Sequence, residues 1–206
     1  MVDAGREPLT RTRVLREAIA LADESGLAGL TMRRLGQRLG VEAMSLYNHV
    51  ANKDALLDGM ADLVSEDFAV PTPDDGWRES LRRSAVSAHE VLLRHPWAAT
   101  LLESRSSPGP ARLRYLDRVV GTLVEAGFPI RAAYLTFMTL DSYVYGFTLQ
   151  EVSAPAPPEQ EAAAAQEFVA ELPDGEYPYL VAMAEVVMDP KHDRMADFGN
   201  GLDLIL

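Results

Sequence analysis

The chain has 206 residues, 48% of them hydrophobic, and the absence of cysteine excludes disulfides, thiolate zinc sites and cysteine nucleophiles. No apolar run approaches the roughly 20 residues that a membrane-spanning helix needs, and residues 1–6 lack the apolar core of a signal peptide. We therefore expect a cytoplasmic protein without a membrane partner. The formal net charge is −12, but residues 1–55 carry eight Lys/Arg against seven Asp/Glu, so the charge does not exclude a nucleic-acid partner.

The first predicted element is an amphipathic helix over residues 11–25. Apolar residues recur at helical spacing from Val14 to Ala22. Thr10 is a suitable N-cap, and Gly26 is a suitable stop because glycine adopts the left-handed conformation that often ends a helix.

Two short helices are predicted next. Thr31 can cap the first, whose buried face would hold Leu35 and Leu39. Gly40 then supplies a tight turn into the second short helix, over residues 41–50. Such a pair, braced by a longer helix on each side, is typical of a helix-turn-helix, although it could also be a helical hairpin of an ordinary bundle.

A longer helix is predicted over residues 53–68, with Asn52 as its N-cap, and the Pro- and Asp-rich residues 71–76 then break the pattern. Beyond them, helices are predicted at about 76–94, 98–104, 109–126, 130–152, 159–171, 177–188 and 191–206, with a loop at 153–158. We therefore predict an all-α fold with an N-terminal three-helix helix-turn-helix domain over residues 1–55. The linking helix 53–68 would join it to a C-terminal helical ligand-binding and dimerisation domain over residues 69–206.

The second short helix is the predicted reading element. A helix enters the major groove, about 12 Å wide, with outward side chains that are small or hydrogen-bonding. The outward set is Ala43, Met44, Ser45, Tyr47, Asn48 and His49. Asn48 can pair with adenine, whereas Ala43 and Met44 can meet a thymine methyl group. Tyr47 and His49 can reach phosphates.

Two cations flank this element. Arg33 lies near the start of the first short helix, where it can span the groove edge. Lys53 and the free amides that follow Asn52 form an anion site in which the helix dipole and the ammonium reinforce each other. Two alternatives stay open: Tyr47 could pack against the first helix, and His49 could cap its own helix.

The run from Leu39 to Leu57, LGVEAMSLYNHVANKDALL, closely resembles the DNA-binding segment of TetR-family repressors, the tetracycline repressor's branch in particular. Residues 29–35 resemble the same family's entry to its first short helix. A weaker resemblance continues through Trp77, 92–94, 125–128 and 198–203. The resemblance implies a homodimer, a palindromic DNA operator, and release from DNA when a small-molecule effector binds the C-terminal domain.

Carried over to this sequence, the family's DNA contacts fall on Arg33, Ala43, Met44, Ser45, Tyr47, Asn48, His49 and Lys53. Ala43 and Met44 stand where the tetracycline repressor has a glutamine and a proline, so we expect a different operator. Ala69, Ser84 and Leu101 stand where that repressor has a histidine, an asparagine and the magnesium-binding histidine. We therefore do not expect tetracycline–magnesium to be the effector.

Polar residues among apolar ones mark a candidate ligand pocket between helices. The candidates are His89, Trp97, Leu101, Tyr115, Phe137, Asp141 and Tyr145. His89 could equally be a satisfied core residue. Asp141 must be exposed, paired across a dimer interface or lining a cavity, because an unpaired buried carboxylate is costly.

The helix over 130–152 and the C-terminal helix both offer apolar faces for a four-helix dimer bundle. The C-terminal face would comprise Met195, Phe198, Leu202 and Ile205. A two-fold axis would then set the two recognition helices about one DNA turn, roughly 34 Å, apart.

The sequence leaves two alternative functions to compare. An enzyme using the C-terminal cavity lacks support, since no Gly-rich phosphate loop, nucleophile elbow or carboxylate dyad is present. No histidine pair has metal-ligand spacing on one helix, so we expect neither a metal nor a cofactor. The remaining alternative is a small-molecule-binding helical protein with a vestigial helix-turn-helix.

Overall fold

The computed structural model describes residues 8–72, 74, 76–153, 157–173 and 175–206, and this part contains eleven helices and no strand. The helices are α1 (Arg11–Gly29), α2 (Met32–Leu39), α3 (Ala43–Leu46), α4 (Lys53–Ser65), α5 (Gly76–Arg94), α6 (Pro96–Ser104), α7 (Pro110–Glu125), α8 (Ile130–Ser153), α9 (Pro158–Glu171), α10 (Pro178–Met188) and α11 (Arg194–Ile205). The all-α prediction is confirmed. The expectation for residues 1–6, and parts of the predicted breaks at 71–76 and 153–158, lie outside the described residues.

Side-chain caps begin three of the first four helices, as predicted. Thr10 and Thr31 each accept a hydrogen bond from the backbone N–H three residues further on, at 3.2 Å. Asn52 does the same at 2.8 Å, at the start of α4. Each cap satisfies an amide that has no partner inside its own helix, so these short polar residues fix where the helices begin.

The turn between α2 and α3 depends on two glycines. Gly40 ends α2 with a left-handed backbone (φ 66°, ψ 35°), which a residue with a Cβ adopts at a cost. A Cβ on Gly36 would lie 2.9 Å from the carbonyl oxygen of Val41, so only glycine lets α3 cross so close to α2. Leu35 and Leu46 are fully buried beneath this turn, and they hold the pair of helices to the N-terminal core.

Several predicted helix bounds were wrong, and two of them have a clear physical reason. The second short helix covers only Ala43–Leu46 rather than 41–50, because residues 47–49 continue as turns with hydrogen bonds to the carbonyl three residues back. The predicted stop at Gly26 is confirmed as a break, since the backbone there leaves the helical conformation (φ 66°, ψ 170°) before a last helical turn ends at Gly29. Pro96 begins α6 instead of preceding it, since proline is well suited to a first helical turn whose amides lack partners.

The C-terminal helix packs on its own chain through the residues predicted to meet a partner. Phe198 and Leu202 are fully buried, and α11 contacts α5 and α8. The Phe198 ring stacks on His89, with 3.9 Å between the ring centroids, and also on Tyr143. The predicted dimer face on this helix was therefore wrong for Phe198 and Leu202, because both side chains complete the core of their own protomer.

Apolar side chains also remain exposed on other helices, and two groups of them are prominent. On α8 they include Ile130, Tyr134, Leu135 and Met138, and on α10 they include Tyr179, Met183 and Val186, where Tyr179 is 88% exposed. An exposed apolar patch of this kind marks an interaction surface rather than a random solvent face. In the part of the chain that the structure describes, no helix is long and apolar enough to cross a bilayer.

Candidate nucleic-acid interface and ligand cavity

The predicted reading element presents its outward side chains to solvent. Met44 is 75% exposed and Tyr47 is 43% exposed, and Asn48 is also exposed. Ala43, Ser45 and His49 are half-buried beside them. Tyr47 therefore does not pack inside against α1. The His49 side chain makes no hydrogen bond to another described residue, so its alternative role as a helix cap is not supported.

Two arginines near this surface are engaged in contacts between α2 and α1. Arg34 donates to the Gly29 carbonyl at 2.7 Å, and Arg38 forms ion pairs with Glu17 and Glu24 at 2.8 and 2.7 Å. These two cations stabilise the contact of α2 with α1.

Arg33 and Lys53 are exposed, and among the described residues neither has an ion pair or side-chain hydrogen bond. These two cations, which the sequence had indicated, are free to meet an external anion such as a phosphate. The rest of the molecule has the opposite character, since residues 56–206 carry a net charge of −13. The acidic body repels DNA and leaves the α2–α3 surface as the favourable approach.

Two adjoining pockets lie between α4, α5, α6, α7 and α8, and together we call them the central cavity, with an outer and an inner chamber. Its outer chamber has a volume of about 220 Å³ and its inner chamber about 20 Å³. The walls of both chambers include Arg112, Phe137 and Asp141. A dry cavity of about 150 Å³ can hold benzene, so the outer chamber has room for a compact aromatic molecule.

Four of the seven predicted pocket residues line the central cavity. Phe137 and Asp141 line both chambers, and Tyr115 and Tyr145 line the inner one. The Asp141 carboxylate is 3.6 Å from the Arg112 guanidinium, so the alternative of a fully exposed side chain is wrong. Burial raises the pKa of Asp141 to about 6, despite the opposing effect of Arg112.

The other three predicted residues, His89, Trp97 and Leu101, line neither chamber. Leu101 is buried, and its neighbour Leu102 faces the cavity instead. The Trp97 indole N–H donates to Asp23 of α1 at 2.7 Å. The structure therefore does not bring these three side chains together with the other four.

His89 is fully buried, and each of its ring nitrogens lies close to a polar atom of α8. Its Nδ1 lies 2.8 Å from the Thr148 hydroxyl, which donates its own proton to the Val144 carbonyl and so must accept from Nδ1–H. Its Nε2 lies 2.9 Å from a carboxylate oxygen of Glu151. Burial lowers the pKa of His89 to about 4 and raises that of Glu151. These contacts favour a core role.

Arg112 is the main cavity residue that the sequence analysis missed. It lies on the buried face of α7, three residues before Tyr115 and seven before Val119. An arginine within an otherwise apolar helical stripe is rare without a buried partner, and this spacing was the available signal. Its guanidinium lies 5.5 to 5.8 Å from the ring centroids of Phe68, Tyr115 and Tyr145.

The linking helix α4 is attached to the C-terminal half at the cavity wall. Asp62 accepts hydrogen bonds from the backbone amides of Ala111 and Arg112, at 2.8 and 3.0 Å, and thereby caps α7 from another helix. Asp58 pairs with Arg105 at 3.0 Å. Asp58 and Asp62 also line the outer chamber, so a molecule bound there touches the helix that follows the reading element.

A substitution at Asp62 tests this attachment. Asp62→Ala removes the acceptor for two amides at the start of α7, and we expect it to lower the free energy of unfolding by about 1 kcal/mol. Asp67→Ala removes a carboxylate with no such contacts from an exposed position just beyond α4. Urea unfolding followed by circular dichroism measures both. Equal stability of the two variants would show that the cap contributes nothing.

Taken together, two short helices joined by a left-handed glycine, an exposed reading face and two free cations define a helix-turn-helix DNA-binding protein. Residues 14–60 match the family described as bacterial regulatory proteins, tetR family, and residues 70–206 match the tetracyclin repressor-like C-terminal domain. The chain belongs to the TetR family of transcriptional regulators, and its function is regulation of transcription through DNA binding. The members of this family are regulators rather than enzymes.

Three relatives illustrate the similarity. The HTH-type transcriptional repressor DrrR1 of Streptomyces coeruleorubidus is 31% identical over 221 residues, covering 99% of this chain and 81% of that protein. The Streptomyces coelicolor TetR family protein ActR in complex with (S)-DNPA superposes with a TM-score of 0.82 at 30% identity, covering 97% and 96%. BioQ with its double-stranded DNA operator gives a TM-score of 0.63 at 29% identity, covering 85% and 99%.

Proposed function

We propose that the protein is a homodimeric repressor that binds a palindromic operator in the cytoplasm and is released from it by a small-molecule effector. Residues 1–55 would form the DNA-binding domain, and the linking helix 53–68 would join it to an effector-binding and dimerisation domain over residues 69–206. The observation that carries the proposal is the exposed α2–α3 surface, with Arg33 and Lys53 left unpaired among the described residues.

Each half of the operator would meet one copy of this surface. The proposed DNA contacts are Arg33, Ala43, Met44, Ser45, Tyr47, Asn48, His49 and Lys53. Met44 is the most exposed apolar side chain of α3, and we assign it to a thymine methyl group. Asn48 would read adenine, and Lys53 would hold a phosphate at the start of α4.

A second copy of the chain would cover the exposed apolar faces of α8 and α10. Burying these faces between two chains removes their apolar surface from water, which is the dominant favourable term in association. A two-fold axis through this interface presents two reading surfaces, as a palindromic operator requires.

The effector would bind in the central cavity and act through α4. An effector moves the equilibrium only if it binds the DNA-incompetent conformation more tightly than the competent one. Asp58 and Asp62 lie at the cavity wall, on the same helix whose first residue is Lys53. A shift of α4 that makes room for the effector would therefore displace the reading surfaces relative to successive grooves.

The test is an electrophoretic gel shift with fragments of the source genome at 50 and 200 mM salt. We expect selected fragments to shift at the lower salt, with an affinity that falls by at least about 100-fold at the higher salt as phosphate contacts are lost. A protein with a vestigial helix-turn-helix would bind small molecules but shift no fragment specifically. That result would favour the alternative function.

A further inference from the structure

The inner end of the central cavity contains a buried cation with few partners. The Arg112 side chain is about 10% exposed, and its sole ion pair among the described residues is the 3.6 Å contact with Asp141. That distance is too long for a hydrogen bond. The three aromatic rings around the guanidinium offer their faces but no hydrogen-bond acceptor in the plane of the N–H groups. Arg112 therefore retains donor capacity toward the cavity.

The Tyr145 hydroxyl is a second unused donor at the same place. Tyr145 is 5% exposed and lines the inner chamber beside Arg112 and Asp141. Its hydroxyl is buried and has no hydrogen-bond partner in the described structure. Buried hydroxyls are nearly always bonded, because leaving one unbonded sacrifices its hydration without replacement. An acceptor that enters the cavity would satisfy this group.

We infer that the inner end of the central cavity is an anion subsite, which receives one oxygen of a carboxylate or phenolate of an aromatic effector between the Arg112 guanidinium and the Tyr145 hydroxyl. The aromatic body of the effector occupies the outer chamber, against Phe137 and Leu116. This inference rests on the proposed function, since it names the chemical class of the effector for that cavity.

The charges around the subsite favour an anion over a cation. Burial, with a further contribution from Glu103, raises the pKa of Asp141 to about 6. An anion that needs Asp141 protonated therefore binds about tenfold more weakly at pH 7 than it would at a pH where Asp141 already carries the proton. Arg112 cannot lose its proton in the same way. An incoming anion can therefore be accommodated by proton uptake at Asp141. An incoming cation would meet a guanidinium that stays charged.

Most of the other ionisable groups around Asp141 are engaged or keep their protons; from α6, Glu103 lines the outer chamber and has no ion pair among the described residues. From α4, Asp58 is paired with Arg105 and Asp62 caps α7. From α7 and α8, the hydroxyls of Tyr115 and Tyr145 stay protonated, since burial raises the pKa of both. From α5, only alanines line the inner chamber. Asp141 is the carboxylate that lines the inner chamber, and it is therefore the group that takes up the proton when an anion enters.

Three probes with one bicyclic body test the charge preference: 2-naphthoate, 2-naphthamide and 2-naphthylmethylammonium. Isothermal titration calorimetry of the full chain at pH 7 measures their affinities. We expect naphthoate to bind at least tenfold more tightly than the amide, and the ammonium compound to bind more weakly than both. Equal or tighter binding of the ammonium compound, or no naphthoate binding at millimolar concentration, would overturn the inference.

Variants and pH separate this subsite from general hydrophobic binding. Above pH 6, naphthoate affinity should fall by up to tenfold per pH unit, with proton uptake detectable in buffers of different ionisation enthalpy. Asp141→Asn should remove that dependence and tighten binding about tenfold at pH 7. Tyr145→Phe should weaken naphthoate about tenfold but leave the amide within threefold.

Glu90→Gln is the control. It removes one negative charge, as Asp141→Asn does, but from an exposed position on α5, and it should change neither the affinity for naphthoate nor the pH dependence of that affinity. A naphthoate affinity that is unaffected by pH and by Tyr145→Phe would contradict the subsite. DNA binding without the probes is measured in parallel. Loss of specific DNA binding alone would contradict the proposed function and not the subsite.

Discussion

Lys53→Ala should weaken operator binding by about 100-fold while leaving the free energy of unfolding within about 0.5 kcal/mol of the parent. Lys53 is exposed at the start of α4 and makes no ion pair with a described residue, so its removal costs the fold little. A charge-assisted phosphate contact is worth about 1.5 kcal/mol, and a symmetric dimer loses two of them. Fluorescence anisotropy with labelled operator measures the change.

The chain supplies a matched control for this prediction. Its only other lysine is Lys191, which is exposed between α10 and α11. Lys191→Ala should leave operator affinity unchanged within a factor of two. Lys53→Ala should also reduce the dependence of binding on salt by about two released ions, one for each half-site. A similar effect of both substitutions would indicate general electrostatic attraction instead of a defined phosphate contact.

Phe198→Ala should lower the free energy of unfolding by about 3–5 kcal/mol. The ring is fully buried, stacks against His89 and Tyr143 and meets Phe147 edge-on, so truncation leaves a cavity that these neighbours cannot fill without moving. Guanidinium unfolding at two protein concentrations measures the loss. Because the ring belongs to the core of its own protomer, the loss should be the same at both.

Leu204→Ala is the comparison on the same helix. Leu204 is 91% exposed, and we expect a change within about 0.5 kcal/mol. A Phe198→Ala effect that appears only at low protein concentration would place the ring in the subunit interface. The sequence-based prediction for that face of the C-terminal helix would then be right after all.

Local chemistry made much of the fold predictable. Thr10, Thr31 and Asn52 mark helix starts because a short polar side chain can bond an amide three residues ahead, whatever the tertiary context. Gly40 marks the turn of the helix-turn-helix for a similarly local reason. The outward residues of the reading element were predicted from helical spacing after this turn, together with the family resemblance.

Features that depend on tertiary packing were less predictable. Periodicity identified Phe198 as a buried side chain, but it cannot say whether its own chain or a partner covers it. α3 is short because residues 47–49 turn toward Val50 and the N-terminal core. Helix propensity does not predict that turn. Among the cavity residues, Asp141 stood out because it interrupts an apolar helix.

Arg112 escaped notice because its neighbours in sequence include other, exposed arginines such as Arg114. Spacing alone did not separate the arginine that faces the cavity from the one that faces solvent. The capping role of Asp62 was equally hidden, since its partners lie nearly fifty residues away in the chain. Non-local contacts of this kind need coordinates.

A hydroxyl-radical footprint on a bound operator shows whether the surface around Tyr47 and His49 is presented twice by symmetry. We expect two equivalent protected patches on one face of the duplex, with centres separated by about one helical turn or a multiple of it. Lys53→Ala should weaken both patches equally. A single protected patch, or protection without two-fold symmetry, would show that the protein does not present two equivalent reading surfaces.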